Sequence, residues 1–328
     1  MTYDQIMADL HKKAYRPIYF LMGEEPYFID AVTDYIAENA LANEEKAFNQ
    51  VVMYGKDTNI YAVLDAAKRF PMMAQHQVVI VKEAQSLKDI DKLHFYVEKP
   101  LQSTILVIGY KYKSLEKRSK LYKALEKSGV VLESKKLYDN KIPEWINTYL
   151  AERGYSIAPA AAALLTEYLG ADLGKIANEL NKLMVGSEKK ITIEQIEKYV
   201  GISKDYNVFE LQAALGEKNI LKANRIVNHF AQTPSDNPPV VVIQSVYSFF
   251  VKVLAFHYLS DKSQAASALR VNPYFVKQYE SAARKYPAVK IIRIISVLRE
   301  YDLKSKGVVN SSASPGDLMR EMVFKILH

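Results

Sequence analysis

The stretch Ile18-Tyr-Phe-Leu-Met-Gly-Glu-Glu-Pro-Tyr-Phe-Ile-Asp30 predicts the architecture of the first part of this chain. Its five large apolar residues in a row, at positions 18–22, are typical of a strand that is covered on both faces. Gly23 permits a sharp turn after the strand, and Pro26 suits the first position of a helix because its missing N–H would be unpaired there. The stretch therefore predicts a buried strand, a one-glycine turn and a helix that begins at once.

The turn lies where a nucleotide-binding α/β domain would hold phosphates. Here it has one glycine, lacks a Gly-Lys-Ser/Thr signature, and places Glu24 and Glu25 at the positive end of the helix dipole. Two carboxylates at this position would repel phosphate groups. The sequence therefore predicts a site with the shape of a nucleotide pocket that holds no nucleotide, and we expect no cofactor.

Length and composition set the broad class. A chain of 328 residues allows about two or three domains with cores of their own. Because the chain has no cysteine, it forms no disulfide framework, thiolate metal site or cysteine nucleophile. No signal-peptide pattern opens the sequence, and polar residues interrupt the apolar stretch 240–256, which we interpret as a buried helix and not a membrane span. We expect a cytoplasmic protein with no membrane partner.

The pattern of apolar residues divides the chain into three parts. Over residues 1–138, helical patterns alternate with strand patterns at 18–22, 48–53, 78–81, 104–108 and 130–132, which predicts a mostly parallel sheet covered by helices. The β pattern then stops, and residues 139–206 predict a small helical domain. Residues 207–328 predict an all-α domain whose last helix carries an apolar stripe, and we expect this domain to serve oligomerisation.

One segment carries most of the net charge of +7. Residues 111–136 contain nine Lys or Arg against three Glu. Within this basic segment we predict a helix that Ser114 caps and that extends to about residue 127, with Lys117, Arg118 and Lys120 directed away from an apolar stripe. These three cations either form a solvated helix face or contact nucleic-acid phosphates.

A second unusual segment is Arg69-Phe-Pro-Met-Met-Ala-Gln-His-Gln77, which connects a predicted helix to the strand at 78–81. Such connectors are normally polar. This one carries Phe70, Met72 and Met73, and Pro71 stiffens it. Because methionine adapts to irregular apolar surfaces, these side chains either cover the local core or form a binding surface.

Motifs for catalysis are missing. The six histidines are scattered, and no nucleophile or metal-binding motif stands out, so we predict no catalytic or metal-ligating residue. Glu83 follows the third strand, where a nucleotide hydrolase carries its magnesium-holding acid, but a structural role is favoured without a phosphate loop. Residues 265–286 also match a helix-turn-helix template with its turn at 271–273, which leaves an alternative open: a helix-turn-helix DNA-binding regulator with an inactive nucleotide-binding-like domain.

Four stretches together resemble the delta subunits of bacterial DNA polymerase III, which are part of the clamp loader. They span nearly the full length in the family's order: residues 19–29, the connector before the strand at 78, Leu169-Gly-Ala-Asp-Leu-Gly-Lys-Ile-Ala-Asn-Glu-Leu-Asn-Lys-Leu183, and Tyr301-Asp-Leu-Lys-Ser-Lys-Gly307 with the terminal helix. The resemblance implies an AAA+-like α/β domain with a degenerate P-loop at 1–138, a small helical lid domain at 139–206 and an all-α collar domain at 207–328.

The resemblance also implies a function. Members of this family bind the ring-shaped sliding clamp and help open it, without catalytic activity of their own, as part of the DNA polymerase III holoenzyme, a DNA-directed DNA polymerase and nucleotidyltransferase. The implied partners are the clamp (beta subunit), the delta prime and gamma/tau subunits, and primed DNA within the complex. The family's clamp contact falls on the connector, which assigns clamp binding to Phe70, Met72 and Met73, with Met-Met in place of the family's frequent Leu-Phe pair.

Overall fold

A computed structural model describes residues 1–186, 189–200, 206–271, 273–308 and 313–328. The chain forms two compact units, Met1–Leu137 and Tyr138–His328, called here the N-terminal unit and the C-terminal unit. The division of the chain into three domains stays a prediction.

A five-stranded parallel sheet forms the centre of the N-terminal unit. Its strands are β1 (Ile18–Gly23), β2 (Gln50–Tyr54), β3 (Gln77–Lys82), β4 (Thr104–Lys111) and β5 (Val130–Ser134). The order across the sheet is β2-β3-β4-β1-β5, and every neighbouring pair runs parallel. The prediction of a mostly parallel sheet is therefore confirmed.

Helices cover both faces of this sheet. They are α1 (Tyr3–His11), α2 (Pro26–Asn39), α3 (Asn43–Asn49), α4 (Ile60–Ala67), α5 (His94–Val97) and α6 (Lys120–Ser128), with 3₁₀ turns at Ala84–Ser86 and Ile90–Leu93. In β1, Phe20 lies in one core with residues of α4, α5 and α6, whereas Leu21 lies in a second core with residues of α1 and α2. Because β1 is covered on both sides, all six of its residues are buried, as its apolar run predicts.

The predicted strand at 48–53 is wrong in its first two residues. The chain at 43–49 is helical, with Glu44 and Glu45 in the first turn, where the helix dipole favours acids. The Glu45 carboxylate also accepts a hydrogen bond from the Ala42 N–H at 2.9 Å. Phe48, which suggested the start of an apolar strand, instead lies one residue before the end of this helix and is 69% exposed.

The predicted helix cap at Ser114 is also wrong. The helix begins five residues later than expected, and Ser119 caps it by accepting a hydrogen bond from the Tyr122 N–H at 3.2 Å. Lys117 and Arg118 therefore lie in the loop before α6, whereas Lys120 is its first residue. Gly129 follows the helix at its C-terminal cap.

The C-terminal unit is largely helical. Its described helices are α7 (Ile142–Ala151), α8 (Pro159–Leu169), α9 (Leu173–Gly186), α10 (Ile193–Val200), α11 (Val208–Gly216), α12 (Ile220–Gln232), α13 (Pro239–His257), α14 (Ala265–Ala268), α15 (Val276–Lys285), α16 (Ala288–Ser305) and α17 (Pro315–Leu327). Short 3₁₀ turns occur at Asp139–Lys141, Lys262–Gln264 and Pro273–Phe275. The expectation that strands stop after residue 138 was wrong in one detail, since β6 (Ser156–Ile157) pairs with β7 (Lys190–Ile191). Two-residue strands are too short to show an alternating pattern.

Helix α13 is the one described helix that is long and apolar enough to cross a membrane by length and composition. Its buried side chains belong to the same apolar core as those of α11, α12, α15, α16 and α17: Val242, Ile243, Val246, Phe249, Phe250, Val253 and Phe256. This packing agrees with the interpretation of 240–256 as a core helix.

The apolar stripe of the last helix was the reason to expect an assembly surface, and the structure removes that reason. Leu327 is partly buried against the apolar core that includes α13. The five other side chains of the stripe are buried: Leu318, Met319, Met322, Val323 and Ile326. Because α17 packs against α12 and α16 of its own unit, the stripe needs no partner subunit. The oligomerisation role of residues 207–328 stays a prediction without this support.

The helix-turn-helix interpretation of 265–286 was wrong. Such a motif needs two helices joined by a turn of about three or four residues. Here the first element, α14, has four residues, a single turn of helix, and a 3₁₀ turn precedes α15. Asn272, in the predicted turn, lies outside the described residues.

Candidate functional site

The carboxyl ends of the parallel strands lie at one edge of the sheet, called here the carboxyl edge. The turn after β1 approaches the end of β5 there, and the Gly23 backbone has φ of +130°. A Cβ at this glycine would lie 2.1 Å from the carbonyl oxygen of Ser134. Only glycine fits this close approach, because any side chain would clash with the neighbouring backbone.

The start of α2, where a phosphate would bind, is occupied by the protein's own carboxylate. Glu25 is buried, and its Oε1 accepts a hydrogen bond from the Tyr27 N–H at 3.0 Å. Ser134 Oγ donates to the Glu25 carbonyl oxygen at 2.7 Å, which ties the turn to β5. Of the two acids that the sequence places here, Glu25 caps the helix and Glu24 is exposed.

An internal cation lies at the same edge. Lys111, at the end of β4, places its Nζ 2.8 Å from Asp30 Oδ1 and 2.8 Å from Glu83 Oε1. Gln85 links the two sides of this cluster, because its Oε1 accepts from the Lys111 N–H at 3.1 Å and its Nε2 donates to Glu83 Oε2. The acid that would hold magnesium in a nucleotide hydrolase is thus paired with a lysine ammonium, which supports the structural role favoured for Glu83.

The ion pairs shift the pKa values of both partners. Burial alone would raise the pKa of Glu83, but hydrogen bonds from Lys111 and Gln85 together with the lysine charge lower it. Burial alone would lower the pKa of Lys111, but hydrogen bonds to Asp30 and Glu83 raise it. The Glu83 carboxylate therefore stabilises the fold at pH values above the ordinary pKa of a glutamate. This contribution disappears as the pH falls through the lowered pKa of Glu83 in the folded protein. The Lys111 contribution disappears only as the pH rises through its raised pKa.

The apolar connector lies at the opposite edge of the sheet, where β3 begins. Phe70 is 75% exposed, Met72 is 65% exposed and Met73 is fully exposed. The interpretation that these side chains cover the local core is therefore wrong. Met73 also has φ of +52°, a left-handed conformation that a residue with a side chain adopts only when its surroundings hold it there.

Sequence reasoning missed the residue that holds this connector. Asn49, the last residue of α3, is 1% exposed, and its side-chain amide forms two hydrogen bonds with the backbone of Met72. Its Nδ2 donates to the Met72 carbonyl oxygen at 2.9 Å, and its Oδ1 accepts from the Met72 N–H at 2.6 Å. The adjacent residue in the chain, Phe48, has a further exposed apolar side chain. No local pattern signals an interaction between residues that are 23 positions apart.

The basic segment begins at the carboxyl edge. Lys117, Arg118 and Lys120 are exposed and lie around the start of α6. Arg118 Nε pairs with Glu116 Oε2 at 2.8 Å, whereas Lys117 and Lys120 form no ion pair with the described residues. The start of a helix flanked by cations is an arrangement that suits phosphate groups.

The fold defines a class: a protein with a five-stranded parallel α/β unit, in which the protein's own side chains occupy the start of α2 and the carboxyl edge, followed by a largely helical unit. Comparisons with known families agree. Residues 19–135 match the family model for the DNA polymerase III delta subunit, and residues 205–313 match the model for its C-terminal domain. The chain belongs to the DNA polymerase III delta subunit family.

Relatives match over nearly the whole chain. It is 25% identical to the DNA polymerase III subunit delta of Bacillus subtilis over 322 residues, which cover 93% of this chain and 92% of the relative. It is 22% identical to a probable DNA polymerase III subunit delta of Aquifex aeolicus over 308 residues, covering 88% and 86%. A solved structure of the Bacillus subtilis DNA clamp loader delta protein shares its fold, with a TM-score of 0.62, 23% identity and 99% of each chain covered.

Replacing Lys111 with methionine tests the internal cation. Lys111→Met removes the partner of two carboxylates, so the free energy of unfolding at pH 7 should fall by about 1–3 kcal/mol, between the values for exposed and buried pairs. Because Glu83 loses its charge as the pH falls through its lowered pKa, the difference between wild type and variant should shrink at acidic pH. Urea denaturation at several pH values between about 3.5 and 7 measures both effects.

The exposed Lys123 of α6 gives a matched control, since it forms no ion pair with the described residues. Lys123→Met should leave the free energy of unfolding within about 0.5 kcal/mol of wild type at every pH. A Lys111→Met variant as stable as wild type at neutral pH would contradict the role of the cluster, as would a destabilisation that does not change with pH.

Proposed function

We propose that this chain is the delta subunit of a DNA polymerase III clamp loader and that it binds the ring-shaped sliding clamp through Phe70, Met72 and Met73. The observation that carries the proposal is the connector: three large apolar side chains are exposed at one edge of the sheet on a backbone that is held in place. Clustered exposed apolar side chains mark surfaces that bind other proteins. Family membership supports the clamp as the partner.

Docking of a stiff connector loses little conformational entropy, so apolar burial contributes efficiently to affinity. Each of the three side chains, buried in a pocket of the ring, would contribute about 1.5–3 kcal/mol. The subunit helps open the ring if it binds the open interface more tightly than the closed one, because a ligand shifts an equilibrium only by its differential affinity.

In this proposal the subunit binds the clamp without ATP. Glu25 fills the anion position at the start of α2, and the Lys111 ammonium sits between Asp30 and Glu83 at the cation position. A bound nucleotide would have to displace both groups. ATP hydrolysis would then belong to other subunits of the loader. The expected neighbours are the delta prime and gamma/tau chains. Membership of this cytoplasmic replication complex would link the chain, which is not itself catalytic, to DNA polymerase activity.

We also propose that Lys117, Arg118 and Lys120 contact phosphates of primed DNA within the assembled loader. The exposure of all three side chains and their position around the start of α6 support this role. If charge reversal at these positions left DNA affinity unchanged, the three side chains would instead form a solvated helix face.

Alanine at two connector positions tests clamp binding. Met72→Ala/Met73→Ala should weaken binding to the sliding clamp by roughly thirtyfold or more, because removing a central anchor typically costs about 2 kcal/mol. The melting temperature should not change, since both side chains are exposed. Titration of the clamp with the purified subunit, by calorimetry or surface plasmon resonance, gives the dissociation constant, which should be the same with and without ATP.

Phe95, which is 69% exposed on α5, provides a control of similar exposure in the same unit. Phe95→Ala should bind the clamp like wild type. Wild-type affinity in a normally folded Met72→Ala/Met73→Ala variant would refute the assignment of the clamp contact to the connector.

Charge reversal tests the DNA contact. Lys117→Glu/Arg118→Glu/Lys120→Glu should weaken binding of the assembled loader to primed DNA and reduce the slope of log affinity against log salt by about one for each phosphate that the variant no longer binds. Fluorescence anisotropy across a salt series measures both. Reversal of Lys12, Lys88 and Lys99, which are exposed and lie outside the basic segment, is the charge-matched control. Equal salt slopes for the two triple variants would exclude the phosphate contact.

A further inference from the structure

The side chain of Asn49 pairs with the Met72 backbone as a strand neighbour would. One N–H of its amide donates to the Met72 carbonyl oxygen at 2.9 Å and its carbonyl accepts from the Met72 N–H at 2.6 Å. The Nδ2 also donates to the Glu45 carbonyl oxygen at 3.1 Å, within α3. The amide is therefore fixed by its own helix on one side and fixes the connector on the other.

This contact meets the connector at a critical position. Met72 lies between Pro71, whose ring restricts the backbone, and Met73, whose left-handed backbone is costly for a residue with a side chain. Asn49 is 1% exposed, so water does not compete for its hydrogen bonds. The connector thus exposes its side chains while a buried amide holds its backbone.

We propose that Asn49 is a positioning residue for clamp binding: it holds the Met72 backbone so that the connector is already in its docking conformation before it meets the clamp. The proposal rests on the proposed function and deepens it. Asn49 touches no partner itself. Without it, the connector would sample several conformations, and only the fraction in the docking conformation would bind.

The test combines three measurements on the full chain. Asn49→Ala should speed hydrogen exchange at the Met72 amide, because that N–H loses its acceptor. It should also weaken clamp binding by about tenfold, the loss expected from one or two hydrogen bonds that hold the docking conformation. In a Met72→Ala background the same substitution should weaken binding by a similar factor, because Met72→Ala keeps the backbone N–H and carbonyl that Asn49 holds.

Two further variants separate positioning from loss of stability. Ser134→Ala removes one buried hydrogen bond at the carboxyl edge and should lower stability without changing clamp affinity. If Asn49→Ala does not fold, Asn49→Asp keeps the acceptor for the Met72 N–H but cannot make the donated bonds. It should weaken clamp binding, because a carboxylate oxygen would face the Met72 carbonyl oxygen.

The outcomes distinguish the inference from the function on which it rests. If Met72→Ala/Met73→Ala binds the clamp like wild type, the proposed clamp contact fails. If that variant binds weakly but Asn49→Ala and Asn49→Asp keep wild-type affinity, the clamp contact stands and the positioning role is overturned. Unchanged exchange at the Met72 amide in Asn49→Ala, or loss of the Asn49→Ala effect on clamp affinity in the Met72→Ala background, would overturn it as well.

Discussion

All five strands of the sheet point the same way, and this constraint decides where each functional group of the N-terminal unit can lie. Residues that follow strands gather at the carboxyl edge, whereas residues that precede strands gather at the other. The two ends of β3, which is six residues long, are about 17 Å apart. The degenerate nucleotide position and the start of the basic segment therefore lie at one edge, and the apolar connector lies at the other.

At the carboxyl edge, the protein supplies the charges that a nucleotide hydrolase takes from its ligand. The Glu25 carboxylate caps α2, and the Lys111 ammonium pairs with Asp30 and Glu83. Both groups link the turn or strand that carries them to a neighbouring element, so the edge is held together without a nucleotide.

Much of this arrangement could be predicted from sequence, but the contacts between distant residues could not. The apolar run of β1 predicted a buried strand because burial on both faces leaves a local signature. Ser114 was the predicted cap of α6, whereas Ser119, five residues later, caps it in the structure. The exposure of Met72 and Met73 has no local signature either, since an apolar connector fits a core as well as a surface. The role of Asn49 could not be predicted, because its partner Met72 lies 23 positions away in the chain.

The proposed function requires that this chain bind a sliding clamp by itself, through a preformed surface that no nucleotide controls. Size-exclusion chromatography of the purified chain with the sliding clamp of the same cell, run with and without ATP, tests it most directly. We expect the two proteins to elute together in both runs and in the same proportion. Separate elution in both runs, or joint elution only when ATP is present, would contradict the claim.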